Sequence, residues 1–121
     1  MEHLALWAAA GLSLLWFFVH LIFGGRDIAA PFRADPRQDH TIMATLWMVW
    51  HMVTVTILLM SVFFAAGVLI HPSYAVAGTA LAAGYSAVGI GARFVLGTTF
   101  KVIPQGWLFV PVAALGLLGV I

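Results

Sequence analysis

Cysteine is absent from this chain, and charged residues are scarce. The lack of cysteine excludes disulfide bonds, thiolate metal sites and thiol nucleophiles. Only 7% of the 121 residues are charged, whereas a soluble domain carries about 25%. Hydrophobic residues make up 64% of the chain, so the composition predicts a single unit that lies in a lipid bilayer. The net charge of +1 gives no support for nucleic-acid binding.

The amino terminus lacks the positive charge that opens a secretory signal peptide. It reads Met1-Glu2-His3, and the apolar run that follows continues past Ala8-Ala9-Ala10 to Phe23. We therefore expect an uncleaved first helix.

Four apolar segments follow one another along the chain. They cover approximately residues 4–23, 41–70, 74–92 and 104–121. These segments predict an all-α fold, an integral membrane four-helix bundle that forms one transmembrane domain. The second helix is expected to begin before its apolar run, near residue 36, because Asp35 and Pro36 suit an N-cap and a first helical position. Gly24-Gly25 is expected to end the first helix.

The basic residues all fall in the first and third connections between these segments. They are Arg26, Arg33, Arg37, Arg93 and Lys101. The positive-inside rule then predicts that these two connections are cytoplasmic and that both termini are extracytoplasmic.

Polar side chains recur at helical spacing in three of the four segments. The second segment combines the longest uncharged run with an ionisable side chain. Thr41 to Ile70 contains no Asp, Glu, Lys or Arg, but it includes His51. Because polar groups at membrane depth usually face a protein interior, we expect these stripes to meet inside the bundle. The expected buried polar cluster consists of Ser13, His20, His51, Thr54, Ser86 and Arg93.

His20 and His51 are the candidate ligands of a cofactor. In the predicted bundle they lie on antiparallel neighbours at similar depth. Two imidazoles on facing helices can hold the iron of a haem b or a divalent metal, and His40, on the same stripe as His51, is a weaker third ligand. The candidate contacts for haem propionates are Arg26, Arg93 and Lys101 at the same end.

Other interpretations of these histidines stay open beside cofactor binding. Each imidazole can instead hydrogen-bond a threonine, a tryptophan or a carbonyl group and so fix the register of the helices. Alternatively, the polar stripes can conduct protons or other ions. No carboxylate lies within a predicted segment, and the serines lack a His/Asp setting, so we expect no enzyme active site.

Short connections and abundant small residues favour a structural or accessory subunit of a membrane assembly, which acts by lateral association. Its expected partners are the lipid bilayer and either further copies of the chain in a homo-oligomer or a larger membrane complex. A haem- or metal-binding electron-transfer protein is the first alternative, and a proton or ion conductor is the second.

Three short motifs carry a family resemblance. They are His20-Leu-Ile-Phe-Gly-Gly-Arg-Asp-Ile28, Leu46-Trp-Met-Val-Trp-His51-Met-Val-Thr54 and Lys101-Val-Ile-Pro-Gln-Gly-Trp107. Together they resemble an uncharacterised family of small bacterial four-helix inner-membrane proteins, whose members carry a histidine near the end of helix one and a Trp-His-x-x-Thr core in helix two. The resemblance implies the bacterial inner membrane as the location, and it implies no particular substrate or cofactor.

Overall fold

The chain folds into four long helices and contains no strand. A computed structural model describes residues 1–121. The helices are α1 (Glu2–Ala34), α2 (His40–Leu69), α3 (Ser73–Val95) and α4 (Gln105–Val120). The all-α class is therefore confirmed. Helices α1, α2 and α3 are long and apolar enough to cross a membrane, and α4 is a shorter apolar helix.

The helices form a closed bundle. Each one packs against the next along the chain, and α4 packs back against α1. The short connections make successive helices antiparallel, so α2 and α4 lie diagonally across the bundle from each other. We call the end that carries the α1–α2 and α3–α4 connections the connection end, and the opposite end, with both chain termini, the terminal end.

The apolar core lies toward the terminal end. Its largest fully buried apolar side chains are Met60 and Phe64 from α2 and Val112 from α4. Leu6 of α1 and Ala75 of α3 pack into the same cluster. Burial of such side chains is favourable because close packing gains dispersion energy between neighbouring atoms.

Two glycines allow α3 and α4 to touch backbone to backbone. A Cβ atom placed on Gly89 would lie 2.5 Å from Cα of Gly106, which is too close for any side chain at this position. Small residues permit this approach, and it brings the start of α4 against the second half of α3.

Helix α1 does not end at Gly24-Gly25, so the expected helix stop there is wrong. The helix continues to Ala34, and its segment Val19–Ala29 is π-helical, with wider turns than an α-helix. No residue of α1 adopts the positive φ that a glycine supplies at a helix end. Gly24 instead gives room to a neighbour, because a Cβ there would lie 2.9 Å from Cη2 of Trp50.

Helix α2 begins at His40, about one turn later than the sequence predicts. Asp39 is its N-cap, since Oδ1 of Asp39 accepts hydrogen bonds from two backbone N–H groups of the first turn, at 2.9 and 3.1 Å. Asp35, the predicted cap, binds Arg37 instead, with Nη2 of Arg37 2.8 Å from Oδ2. The side-chain hydrogen bond from Arg37 lowers the pKa of the Asp35 carboxyl. The connection between α1 and α2 is nevertheless shorter than expected, because α1 continues to Ala34.

We expect Gly89→Ala to destabilise the bundle, because the added methyl group must push α3 and α4 apart. Overpacking of this kind costs about 1–3 kcal/mol of the free energy of unfolding. Gly84→Ala is the matched control on the same helix, since a Cβ there meets nothing within 4 Å. Thermal unfolding in detergent, followed by circular dichroism, measures both variants. Equal unfolding midpoints would contradict the close contact between α3 and α4.

Candidate functional site

An apolar groove opens toward the connection end of the bundle. Its volume is about 510 Å³, and residues from all four helices line it. Of the 15 lining residues, 12 are hydrophobic. The aromatic members are Phe32, Trp47, Trp50, Tyr85 and Phe109, and the remaining polar side chains are His20 and Gln105. A concave, mostly apolar surface with few polar groups is typical of small-molecule sites.

The extension of α1 beyond the predicted stop forms one wall of this groove. Ile28, Ala29 and Phe32 belong to that extension, and all three line the groove. Ile57 and Phe109 lie where the groove meets the core, since both are buried in the core cluster and also line the groove. The continuation of α1 therefore completes the site, and this wall could not be predicted from a sequence pattern that indicates a loop after Phe23.

His20 lies in the π-helical segment of α1 and packs flat against Trp50 of α2. The two ring centroids are 4.0 Å apart with an interplanar angle of 16°. Nε2 of His20 also lies 3.3 Å from the backbone oxygen of Trp50, which makes a hydrogen bond between the two helices. Gly24, one turn further along α1, meets the same indole ring. Trp50 is thus held by His20 and Gly24 together.

His51 faces away from this groove. It is exposed, and its ring packs edge to face against Trp47, with centroids 4.7 Å apart. It lines a separate, shallow depression with Met48, Met52, Val55 and Thr56.

The histidines do not fit the axial ligation of one haem iron. His20 and His51 line different cavities, whereas two axial ligands must approach one iron from opposite sides. His40, the weaker candidate ligand, is exposed at the first residue of α2. No group of three or more His, Asp or Glu side chains is arranged to hold a metal ion.

The candidate propionate contacts also lie apart from the groove, since none of Arg26, Arg93 and Lys101 lines it. Arg26 is exposed and pairs with Asp27, with Nε of Arg26 2.6 Å from Oδ1. Lys101 is exposed in the α3–α4 connection. Arg93 is partly buried, and its guanidinium lies 5.2 Å from the ring centroid of Phe100. Its Nε atom is buried without a hydrogen-bond partner.

A different arginine approaches the lining of the groove. The guanidinium carbon of Arg33 lies 4.8 Å from the ring centroid of Trp47, which is one of the lining residues. The cation–π attraction holds this charge against Trp47, while Arg33 itself does not line the groove. No local sequence pattern indicates this contact of Arg33 with Trp47, because it depends on the continuation of α1.

The hydroxyl groups of the predicted polar cluster are buried but do not link the helices. Each donates to the carbonyl oxygen four residues earlier in its own helix. Ser13 donates to Ala9 at 2.8 Å, Thr54 to Trp50 at 3.0 Å and Ser86 to Ala82 at 3.0 Å. Such bonds satisfy the hydroxyl groups locally and leave no continuous polar path between them.

Besides His20, two other side chains make hydrogen bonds that join helices. Oγ of Ser61 donates to the backbone oxygen of Ala10 at 2.8 Å, and Nε1 of Trp16 donates to that of Leu108 at 2.9 Å. Neither residue was a candidate for the polar cluster. The heptad spacing between Thr54 and Ser61 is the sequence signal that points to Ser61.

No protein-family model, curated protein or solved structure matches this chain. The resemblance carried by the three short motifs therefore stays a prediction.

We expect Gly24→Ala to displace the Trp50 ring, because the new methyl group would overlap the indole edge. The near-ultraviolet circular dichroism of the tryptophans should change, and the free energy of unfolding should fall by about 1–3 kcal/mol. Gly25→Ala provides the control at the neighbouring residue, where a Cβ meets nothing within 4 Å. An unchanged spectrum for Gly24→Ala would show that Trp50 does not depend on this contact.

Proposed function

We propose that this chain is an integral protein of the bacterial inner membrane and acts as a structural or accessory subunit by associating laterally with another membrane helix. The observation that carries the proposal is the exposure of His51 on the outer surface of α2. This residue lies within the long uncharged segment from Thr41 to Ile70.

In a membrane, the imidazole of His51 on the outer surface of α2 would contact lipid, because it lies within this uncharged segment. Ionisable side chains within membrane helices are rare, and they almost always face protein or a water-filled cavity. No part of this chain buries His51, so we expect a neighbouring chain to contact it. The partner helix would present a hydrogen-bonding group to the imidazole.

The surroundings of His51 suit a contact between helices. Met48 and Met52 are 56% and 59% exposed on the same surface. Methionine side chains are flexible and polarisable, so they adapt to the shape of a partner. Val55, 56% exposed, extends this apolar surface around the imidazole.

The distribution of basic residues supports an orientation for this subunit. They lie in the last turns of α1, in the α1–α2 connection, and at or just after the end of α3. The positive-inside rule therefore favours a cytoplasmic connection end and extracytoplasmic termini.

The two alternatives have less support from the side-chain arrangement. Electron transfer through a haem held by both His20 and His51 is disfavoured because these residues line different cavities. Conduction along the polar stripes is disfavoured because the buried hydroxyl groups bond to their own helices.

Single cysteines test lateral association cleanly, since the chain has none of its own. Met52→Cys, labelled with a benzophenone maleimide in membranes from expressing cells, should form a photocrosslinked adduct. Leu117→Cys is the control, because this side chain is 53% exposed on α4, diagonally across the bundle. Adding His51→Leu to Met52→Cys should lower the adduct yield several-fold, since the partner loses its hydrogen bond to the imidazole.

The mass of the adduct identifies the partner. Twice the mass of the chain indicates a homo-oligomer, and any other protein mass indicates a larger complex. Equal yields at residues 52 and 117, or a yield that His51→Leu does not change, would contradict association through this surface.

A further inference from the structure

The groove beside His20 is a feature that lateral association at His51 does not use. Its volume of about 510 Å³ lies within the range of roughly 300–1,000 Å³ that small-molecule sites occupy. Apart from aromatic residues, only His20 and Gln105 bring polar side chains to its wall. So sparse a polar lining favours a neutral and mostly apolar ligand, because a charged one would lose its hydration without compensation.

The hydrogen bond of His20 indicates which polar group this ligand carries. Nε2 of His20 lies within hydrogen-bond distance of the backbone oxygen of Trp50, at 3.3 Å. A carbonyl oxygen can only accept, so the proton of the neutral imidazole is on Nε2. Nδ1 is then an acceptor with a lone pair in the plane of the ring.

Nδ1 of His20 receives no hydrogen bond from the protein. The ring makes one hydrogen bond, through Nε2, and the only buried side-chain nitrogen or oxygen without a partner is Nε of Arg93. Nδ1 is therefore accessible from outside the protein, on a residue that lines the groove. An acceptor in apolar surroundings is stabilised by a ligand that donates to it.

We infer that the groove binds a lipid-soluble molecule with a hydroxyl donor on an apolar body, and that Nδ1 of His20 accepts its hydrogen bond. The rings of Phe32, Trp47 and Phe109 pack against the apolar body. Two kinds of molecule share this chemistry: a quinol, which carries the hydroxyl on an aromatic ring, and a long-chain alcohol such as a prenol.

The test compares a short-chain benzoquinol with the benzoquinone of the same ring and tail. The quinone has nearly the same shape, but its carbonyl oxygens cannot donate to Nδ1. Isothermal titration calorimetry uses the purified full-length protein in quinone-free nanodiscs, without oxygen. The quinol should bind saturably and about tenfold more tightly than the quinone, which is the effect of about one hydrogen bond. Farnesol, a prenol without an aromatic ring, is the third probe.

Two variants separate the hydrogen bond from the shape of the groove. His20→Phe keeps an aromatic ring against Trp50 and removes Nδ1, so it should reduce the affinity for quinol to that for quinone. Val88→Trp fills the groove from a side chain that is 72% exposed, so it should abolish binding of every probe. Val95→Trp is its control, since Val95 is exposed on the same helix and does not line the groove.

The outcomes separate the two kinds of ligand and can overturn the inference. A preference for quinol that His20→Phe removes supports a quinol, and His20-dependent binding of farnesol alone supports a long-chain alcohol. Equal affinities for quinol and quinone in the unaltered protein, or no saturable binding of any probe, would overturn it. So would a preference that survives His20→Phe. If His20→Phe loses its helical circular dichroism, the quinol–quinone comparison and Val88→Trp still decide.

Discussion

The contact between Trp50 and α1 is the interaction on which the connection end depends. His20 covers one face of the indole at 4.0 Å and also bonds the backbone oxygen of Trp50, while Gly24 leaves room for the ring edge. Both α1 residues belong to the π-helical segment Val19–Ala29, whose wider turns change the direction of the side chains that follow. Helix α1 thereby stays beside α2 as far as Ala34 and forms a wall of the groove.

Residue size explains why one end of the bundle is packed and the other holds a groove. Near the terminal end, alanines such as Ala9 and Ala75 are fully buried and let the helices approach closely around Phe64. Near the connection end, α3 and α4 still meet through Gly89 and Gly106, whereas the rings of Trp47 and Trp50 on α2 contact α1 and line the groove. The π-helical segment and these two rings therefore shape the groove together, since α1 continues beside α2 and the rings pack against it.

Hydropathy and helical spacing are enough to predict four helices, and they put Ser13, Thr54 and Ser86 on the inward faces, where the structure has them buried. The outward position of His51 depends on information that no local pattern contains. His51 and Thr54 point about 60° apart around α2. This difference is enough to expose one and bury the other once α1 and α3 have taken their positions. The rule that glycine ends a helix fails at Gly24-Gly25 for the same reason, because the packing of Trp50 against α1 is a tertiary contact.

The two histidines illustrate what an ionisable residue in an apolar chain can indicate. A buried polar group that the protein satisfies completely, such as the hydroxyl of Ser86, contributes to structure and gives no information about a partner. His20 is satisfied at one nitrogen by Trp50, so its unused acceptor favours molecules that donate a hydrogen bond beside it. The exposed ring of His51 packs edge to face with Trp47, and its hydrogen-bonding capacity is available to a partner. The hydrogen-bonding capacity that the fold leaves unused, more than the number of polar residues, therefore distinguishes the groove and the lateral surface from the satisfied interior.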